Sequence, residues 1–192
     1  MALPAEKEHY TFADVLAWDD GERAELIDGE VFLMAPAPSS GHQRISFEIC
    51  RQLGNYLEGK RCQAYSAPFD VRLFEKDGDS PEDVDTVVEP DITIVCDTSK
   101  LDDRGCKGAP DMVIEILSPS TQRHDRLVKL DLYQRAGVRE YWIVNPEDRT
   151  VQVMLLDDGG HFRPHEVYDR TGIAKVNALE GCFIELCKVF PV

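Results

Sequence analysis

The sequence predicts one α+β domain, a mixed central β-sheet flanked by helices, over residues 1–192. Three observations lead there. Two near-continuous apolar runs, Ile92-Thr-Ile-Val-Cys and Met112-Val-Ile-Glu-Ile-Leu, read as central strands covered on both faces. A helical segment separates the second run from another buried run, Glu140-Tyr-Trp-Ile-Val-Asn, and strand–helix–strand order reads as a crossover unit. A chain of 192 residues with 43% hydrophobic content can bury a single sizeable core.

The elements follow in order. Thr11 can cap a short helix through Trp18, with Phe12, Val15 and Leu16 on one side. Ala24 to Met34 reads as a hairpin, because Asp28-Gly29 supplies a primed turn between two apolar stretches. The breaker at Pro36-Ala-Pro-Ser-Ser-Gly precedes a helix from about Gly41 to Glu58, since Ile45, Ile49, Leu53 and Leu57 recur every fourth residue. Strands are expected at Gln63-Ala-Tyr-Ser and Phe69-Asp-Val-Arg-Leu-Phe, then an acidic, solvated loop from Glu75 to Asp85. The two apolar runs come next. A helix should run from about Arg123 to Ala136, ended by Gly137. Pro146 stops the third buried strand, and Val151 to Leu156 and His161 to Tyr168 are strand-like.

Composition narrows the function classes. No stretch of about 18 apolar residues exists, so no membrane span is expected. The start, Met-Ala-Leu-Pro-Ala-Glu-Lys-Glu, does not read as a signal peptide, which makes a cytoplasmic protein the default. The net charge of −15 argues against non-specific electrostatic binding of nucleic acid, although metal sites are themselves acidic before the ion binds. The six cysteines contain no C-x-x-C pair and several lie in apolar runs, so they read as reduced small hydrophobes. His124, His161 and His165 show no metal-ligand spacing.

Charges placed among apolar residues carry the chemistry. Pro90 fixes the entry to a strand and leaves the Asp91 carboxylate at its end. Glu115 interrupts Met-Val-Ile and Ile-Leu, and strand alternation puts it on one face with Val113 and Leu117. An unpaired carboxylate there is costly. A divalent cation bridging Asp91, Glu115 and waters would resolve the cost. On the following helix, with Leu127 at zero and about 100° per residue, Leu132, Ala136, Lys129 and Tyr133 fall between about 140° and 240°. Lys129 thus sits inside the apolar arc and needs an anionic partner. Spacing alone leaves two readings. One is a metal site completed by Lys129. The other is a structural pair, of Lys129 with Asp125 one turn earlier or with Glu115 and no metal.

A run of residues then becomes specific. It includes Ala24-Glu-Leu-Ile-Asp-Gly-Glu-Val, Ser40-Gly-His-Gln and Glu89-Pro-Asp-Ile. They continue with Ala109-Pro-Asp-Met-Val-Ile-Glu-Ile-Leu-Ser-Pro-Ser-Thr and Lys129-Leu-Asp-Leu-Tyr-Gln-Arg-Ala-Gly-Val-Arg-Glu-Tyr-Trp-Ile-Val. Over nearly the whole chain this pattern resembles the Uma-two family, a bacterial group within the PD-(D/E)xK nuclease superfamily. The resemblance implies a restriction endonuclease-like core with a strand–strand–helix–strand active-site unit. It implies Mg2+ or Mn2+ held by Asp91, Glu115 and the Ile116 carbonyl, DNA as substrate, and a homodimer. The superfamily's lysine usually follows the glutamate by two residues, a position held here by Leu117. The resemblance implies that it has moved to Lys129. Where the family often has Asp before the proline, this chain has Asn145.

Further residues have competing readings. Glu25 either adds a carboxylate to the metal shell or is an exposed hairpin residue. His42 either orients a water or contacts a phosphate, or is a polar residue near the helix cap; Gln43 is a weaker candidate. Asp111 ends the preceding loop, Ser118 and Thr121 read as turn or cap residues, and Tyr141 and Trp142 as core. A nuclease fold kept as a binding or assembly module without turnover fits the same residues, and −15 favours it somewhat. A nuclease acting on RNA or branched DNA fits them too.

Overall fold

Asp28 and Gly29 both take positive φ, 50° and 79°, as a primed two-residue turn demands. They join β1 (Ala24–Ile27) to β2 (Glu30–Leu33), the expected hairpin. The computed structural model describes residues 7–18, 23–34, 37–118 and 127–190. Before the hairpin lies α1 (Phe12–Leu16), at whose start the Thr11 amide donates to Asp14 Oδ2 at 3.0 Å. Phe12 is buried there, but Leu16 is exposed, so the inward face of α1 is narrower than expected.

After the hairpin come α2 (Ser40–Leu57), β3 (Gln63–Ser66), β4 (Val71–Arg72) and β5 (Ile92–Val95). Next are β6 (Leu101–Asp102), β7 (Gly105–Lys107), β8 (Met112–Ile116), α3 (Lys129–Ala136), β9 (Glu140–Asn145), β10 (Thr150–Leu156) and β11 (Phe162–Asp169). The chain closes with β12 (Ile173–Val176), β13 (Cys182–Glu185) and α4 (Leu186–Val189). The main sheet has six strands in the order β3-β5-β8-β9-β10-β11. β8 and β9 are parallel, and the other neighbours are antiparallel. The sheet is therefore mixed, and β8–α3–β9 is the expected crossover.

Each face of the sheet buries its own core. Ile45, Ile49, Leu53 and Leu57 of α2 pack on Ile92, Ile94, Ile114 and Ile116, with the β12–β13 hairpin beside them. Burying each such side chain stabilises by about 1.5–3 kcal/mol. The opposite face carries Val113, Leu117 and Ile143 against Leu132 and Tyr133 of α3. Tyr141 and Trp142 are fully buried, as expected of core residues. Among the described residues no helix is long and apolar enough to cross a membrane.

Several expectations need correction. Phe69 to Phe74 is a strand only at Val71–Arg72, because the buried Arg72 guanidinium turns toward Glu75, Asp102 and the Arg104 carbonyl. β4 joins β6 and β7, two short strands that the sequence does not announce, in a separate three-stranded sheet. The third helix is described from Lys129, and Leu127 and Val128 before it are exposed rather than packed. The expected stretch from Arg123 to Arg126 lies outside the described residues, as do Thr121, His124 and Asp125. The cysteines are not all reduced: Cys62 and Cys96 form a disulfide. β3 and β5 pair with Gln63 opposite Val95, so the next positions outward, Cys62 and Cys96, face one another. Cys50, Cys106, Cys182 and Cys187 are free thiols.

Candidate active site

Strand alternation directs Glu115 to the α3 face of the sheet, where it is only 4% exposed. α3 returns over that face after the crossover and brings Lys129, 5% exposed, to meet it. Lys129 Nζ lies 2.8 Å from Glu115 Oε1 and 2.9 Å from Glu25 Oε1, and Glu25 is equally buried. The hairpin strand β1 delivers Glu25, whose Oε1 also accepts from the Glu89 amide at 3.1 Å. Glu25 is thus not an exposed hairpin residue. One ammonium between two buried carboxylates leaves the group one negative charge in excess.

Tyr133 belongs to the same cluster, and sequence reasoning placed it only as packing. Its hydroxyl donates to Glu115 Oε1 at 2.6 Å. Burial, then the negative charges of Glu115 and Glu25, hold its phenol well above the ordinary pKa, so it stays a donor. A signal existed: Tyr133 follows Lys129 by four residues, which stacks the two on one helix face. Glu89 was missed as well. Its carboxylate is ion-paired with Arg23 at the edge of the site.

Asp91 enters from the other side of Glu115. Its Oδ2 accepts the Ile116 amide at 2.7 Å, and its own amide lies 3.4 Å from Glu115 Oε2. His42 stands in the first turn of α2, where Ser39 caps the helix by accepting the His42 amide at 3.2 Å. Its ring Nε2 is 3.2 Å from Asp91 Oδ2 and 3.1 Å from the Ile116 carbonyl oxygen. Both are acceptors, so the arrangement suits a proton on Nε2. The structure thus brings Asp91, Glu115, Ile116, Lys129, Glu25 and His42 together on the wall of one cleft of about 1450 Å3. Gln43 lines the same cleft, whereas Asp111 binds the Cys96 amide and Arg139 away from it.

The donor set fits a hard divalent cation. Asp91 Oδ2 and the Ile116 carbonyl oxygen both lie beside His42 Nε2, and Glu115 Oε2 lies 3.4 Å from the Asp91 amide. All three are oxygen donors, the chemistry Mg2+ and Mn2+ prefer. Among the described residues no group of three or more His, Cys, Asp or Glu side chains is placed as a metal cage. An ion here would therefore rely on the backbone carbonyl and on water.

The sheet order, the parallel β8–β9 crossover and the carboxylates at its edge define a restriction endonuclease-like core. Comparison with known proteins agrees. The Uma2 family, described as "Putative restriction endonuclease", matches residues 12–186, and the chain belongs to that family. A solved structure described as "a putative nuclease belonging to DUF820" from Anabaena variabilis ATCC 29413 superposes with a TM-score of 0.70. It is 21% identical, and the match covers 94% of this chain and 97% of that one, which shows a common fold. The "Uncharacterized protein slr1290" of Synechocystis sp. is 24% identical over 150 residues, 77% of this chain and 74% of that protein.

Proposed function

We propose that this protein is a metal-dependent endonuclease that hydrolyses DNA phosphodiester bonds. The observation that carries the reading is the gathering of Asp91 Oδ2 and the Ile116 carbonyl around the His42 ring, beside a Glu115 carboxylate held by Lys129, on the wall of one cleft. Asp91, Glu115 and the Ile116 carbonyl would hold the cation. Mg2+ or Mn2+ there would polarise the scissile phosphate and acidify the attacking water.

The chain's own residues do the rest. Lys129 fixes the Glu115 carboxylate and offers positive charge to phosphate oxygens as charge builds on them. Tyr133 holds the same carboxylate oxygen, and Glu115 Oε2 lies 3.4 Å from the Asp91 amide. Glu25 holds Lys129 from the opposite side. His42 holds Asp91 and places an N–H donor at the cleft, where it can orient a water or a phosphate oxygen.

A second reading, a nuclease fold used as a binding or assembly module, draws on one observation. Lys129 and Tyr133 already compensate Glu115, so burial alone does not require a metal. Supercoiled plasmid and labelled oligonucleotides, incubated with Mg2+ or Mn2+, separate the two. The nuclease reading expects cleavage that disappears in Asp91→Ala and Glu115→Ala. Cleavage that survives both changes removes it.

A further inference from the structure

The rim of the cleft carries features that the hydrolytic residues do not use. Phe47, on the third turn of α2, is 70% exposed, and Leu33 at the end of β2 is 63% exposed. Both line the cleft that holds Asp91 and Glu115. Phe47 lies five residues after His42, about 7.5 Å along the helix axis. An exposed phenyl ring beside a phosphodiesterase site offers a face on which a base can stack.

Three guanidiniums, of Arg23, Arg44 and Arg149, line this cleft. Arg23, Arg51, Arg72, Arg135, Arg139 and Arg163 all hold carboxylates. Arg44 and Arg149, both exposed, make no ion pair with any described residue, and both line the cleft. That is notable in a chain with 36 acidic and 21 basic residues. Arg149 has a second peculiarity. It occupies the β9–β10 turn at φ 54°, a left-handed position where Gly or Asn is easier. Its long side chain places a cation at the cleft. Glu147 and Glu89 also line the cleft, and Glu89 is already paired with Arg23.

We propose that this cleft takes an unpaired nucleic-acid strand, with a base stacked on Phe47 and flanking phosphates held by Arg44 and Arg149. It rests on the nuclease reading for the identity of the ligand as a phosphodiester. The choice of strand follows from what each ligand exposes. A duplex turns its phosphates outward and hides its base faces, so binding it calls for an extended basic surface. This rim offers two free cations and an apolar lip instead. A single strand presents bases and phosphates together, and matches both.

The test uses the full-length protein with EDTA, so that no turnover is needed. A fluorescein-labelled single-stranded oligodeoxynucleotide is compared with its duplex by anisotropy. A second oligonucleotide carries 2-aminopurine, whose fluorescence falls on stacking. The single strand should bind at least tenfold more tightly than the duplex and quench the 2-aminopurine. Phe47→Ala should abolish the quench and weaken binding about tenfold, while Phe47→Trp restores both. Phe183→Ala, an exposed aromatic outside the cleft lining, should change neither. Each of Arg44→Ala and Arg149→Ala should lower the slope of log affinity against log salt by about 0.7. Duplex binding as tight as single-strand binding, or a quench that survives Phe47→Ala, overturns the proposal even where plasmid cleavage is seen. Intact binding differences without any cleavage in Mg2+ or Mn2+ support it and overturn the catalytic reading alone.

Discussion

Lys129 Nζ sits 2.8 Å from Glu115 Oε1, so the first residue of α3 returns its charge to the strand that precedes the crossover. The same ammonium touches Glu25 on the hairpin at 2.9 Å. Three segments far apart in sequence are thus fastened at one buried point. Replacing Lys129 by Met leaves two carboxylates facing each other without a counter-charge. Loss of one partner of a buried ion pair costs about 3–5 kcal/mol. Urea unfolding of Lys129→Met should show a loss of that order, and cleavage should fall at least a hundredfold.

Tyr133 acts on the same carboxylate. Its hydroxyl donates to Glu115 Oε1 at 2.6 Å from a fully buried position. A hydrogen bond to a charged group contributes about 1.5–3 kcal/mol. Tyr133→Phe should lower stability by that amount with the fold unchanged by circular dichroism. Cleavage should fall about tenfold, because Glu115 is less well fixed. Wild-type rates in Tyr133→Phe would show that the phenol serves packing only.

Asp70 should give the protein a pH-dependent stability. Burial, then the charge of Glu89, raises its carboxyl from 3.8 to about 6. The folded pKa lies above the unfolded one, so ionised Asp70 opposes folding. Its contribution is most favourable below pH 4 and is lost as pH rises through 6. The loss is at most about 3 kcal/mol, less in practice because the side chain is partly open to water. Asp70→Asn should therefore stabilise by about 1–2 kcal/mol at pH 8 and have little effect at pH 4. Thermal melts across that range check the sign.

The disulfide closes a loop between residues 34 apart in sequence. Loop-closure entropy gives about 3–4 kcal/mol for that length. Cys62→Ala/Cys96→Ala should lower the unfolding free energy by up to that amount. In denaturant without reductant, thiol titration should find four reactive cysteines, Cys50, Cys106, Cys182 and Cys187. Six would contradict the bridge.

Much of the fold could be read from the sequence because its signals are local. Asp28-Gly29 specifies its own turn, and Ile45, Ile49, Leu53 and Leu57 specify the buried face of α2. Glu115 and Lys129 were legible because a charge at an apolar position needs a partner. Tyr133 gave no such warning, since a phenol at a core position is ordinary packing until its hydroxyl is seen to reach Glu115. Cys62 and Cys96 could not be paired without the register of β3 on β5, which is a tertiary fact. β6 and β7 are two and three residues long, too short for a period to show. Arg149 hides in a turn whose φ no residue type announces.

Divalent-cation binding tests most directly whether Asp91, Glu115 and the Ile116 carbonyl form a metal site. Isothermal titration of the wild-type protein with Mn2+ should show saturable binding. Asp91→Ala and Glu115→Ala should each abolish it, while both variants keep the wild-type circular dichroism spectrum. Absence of binding in the wild type, or Mn2+ heats unchanged in both variants, would contradict the site.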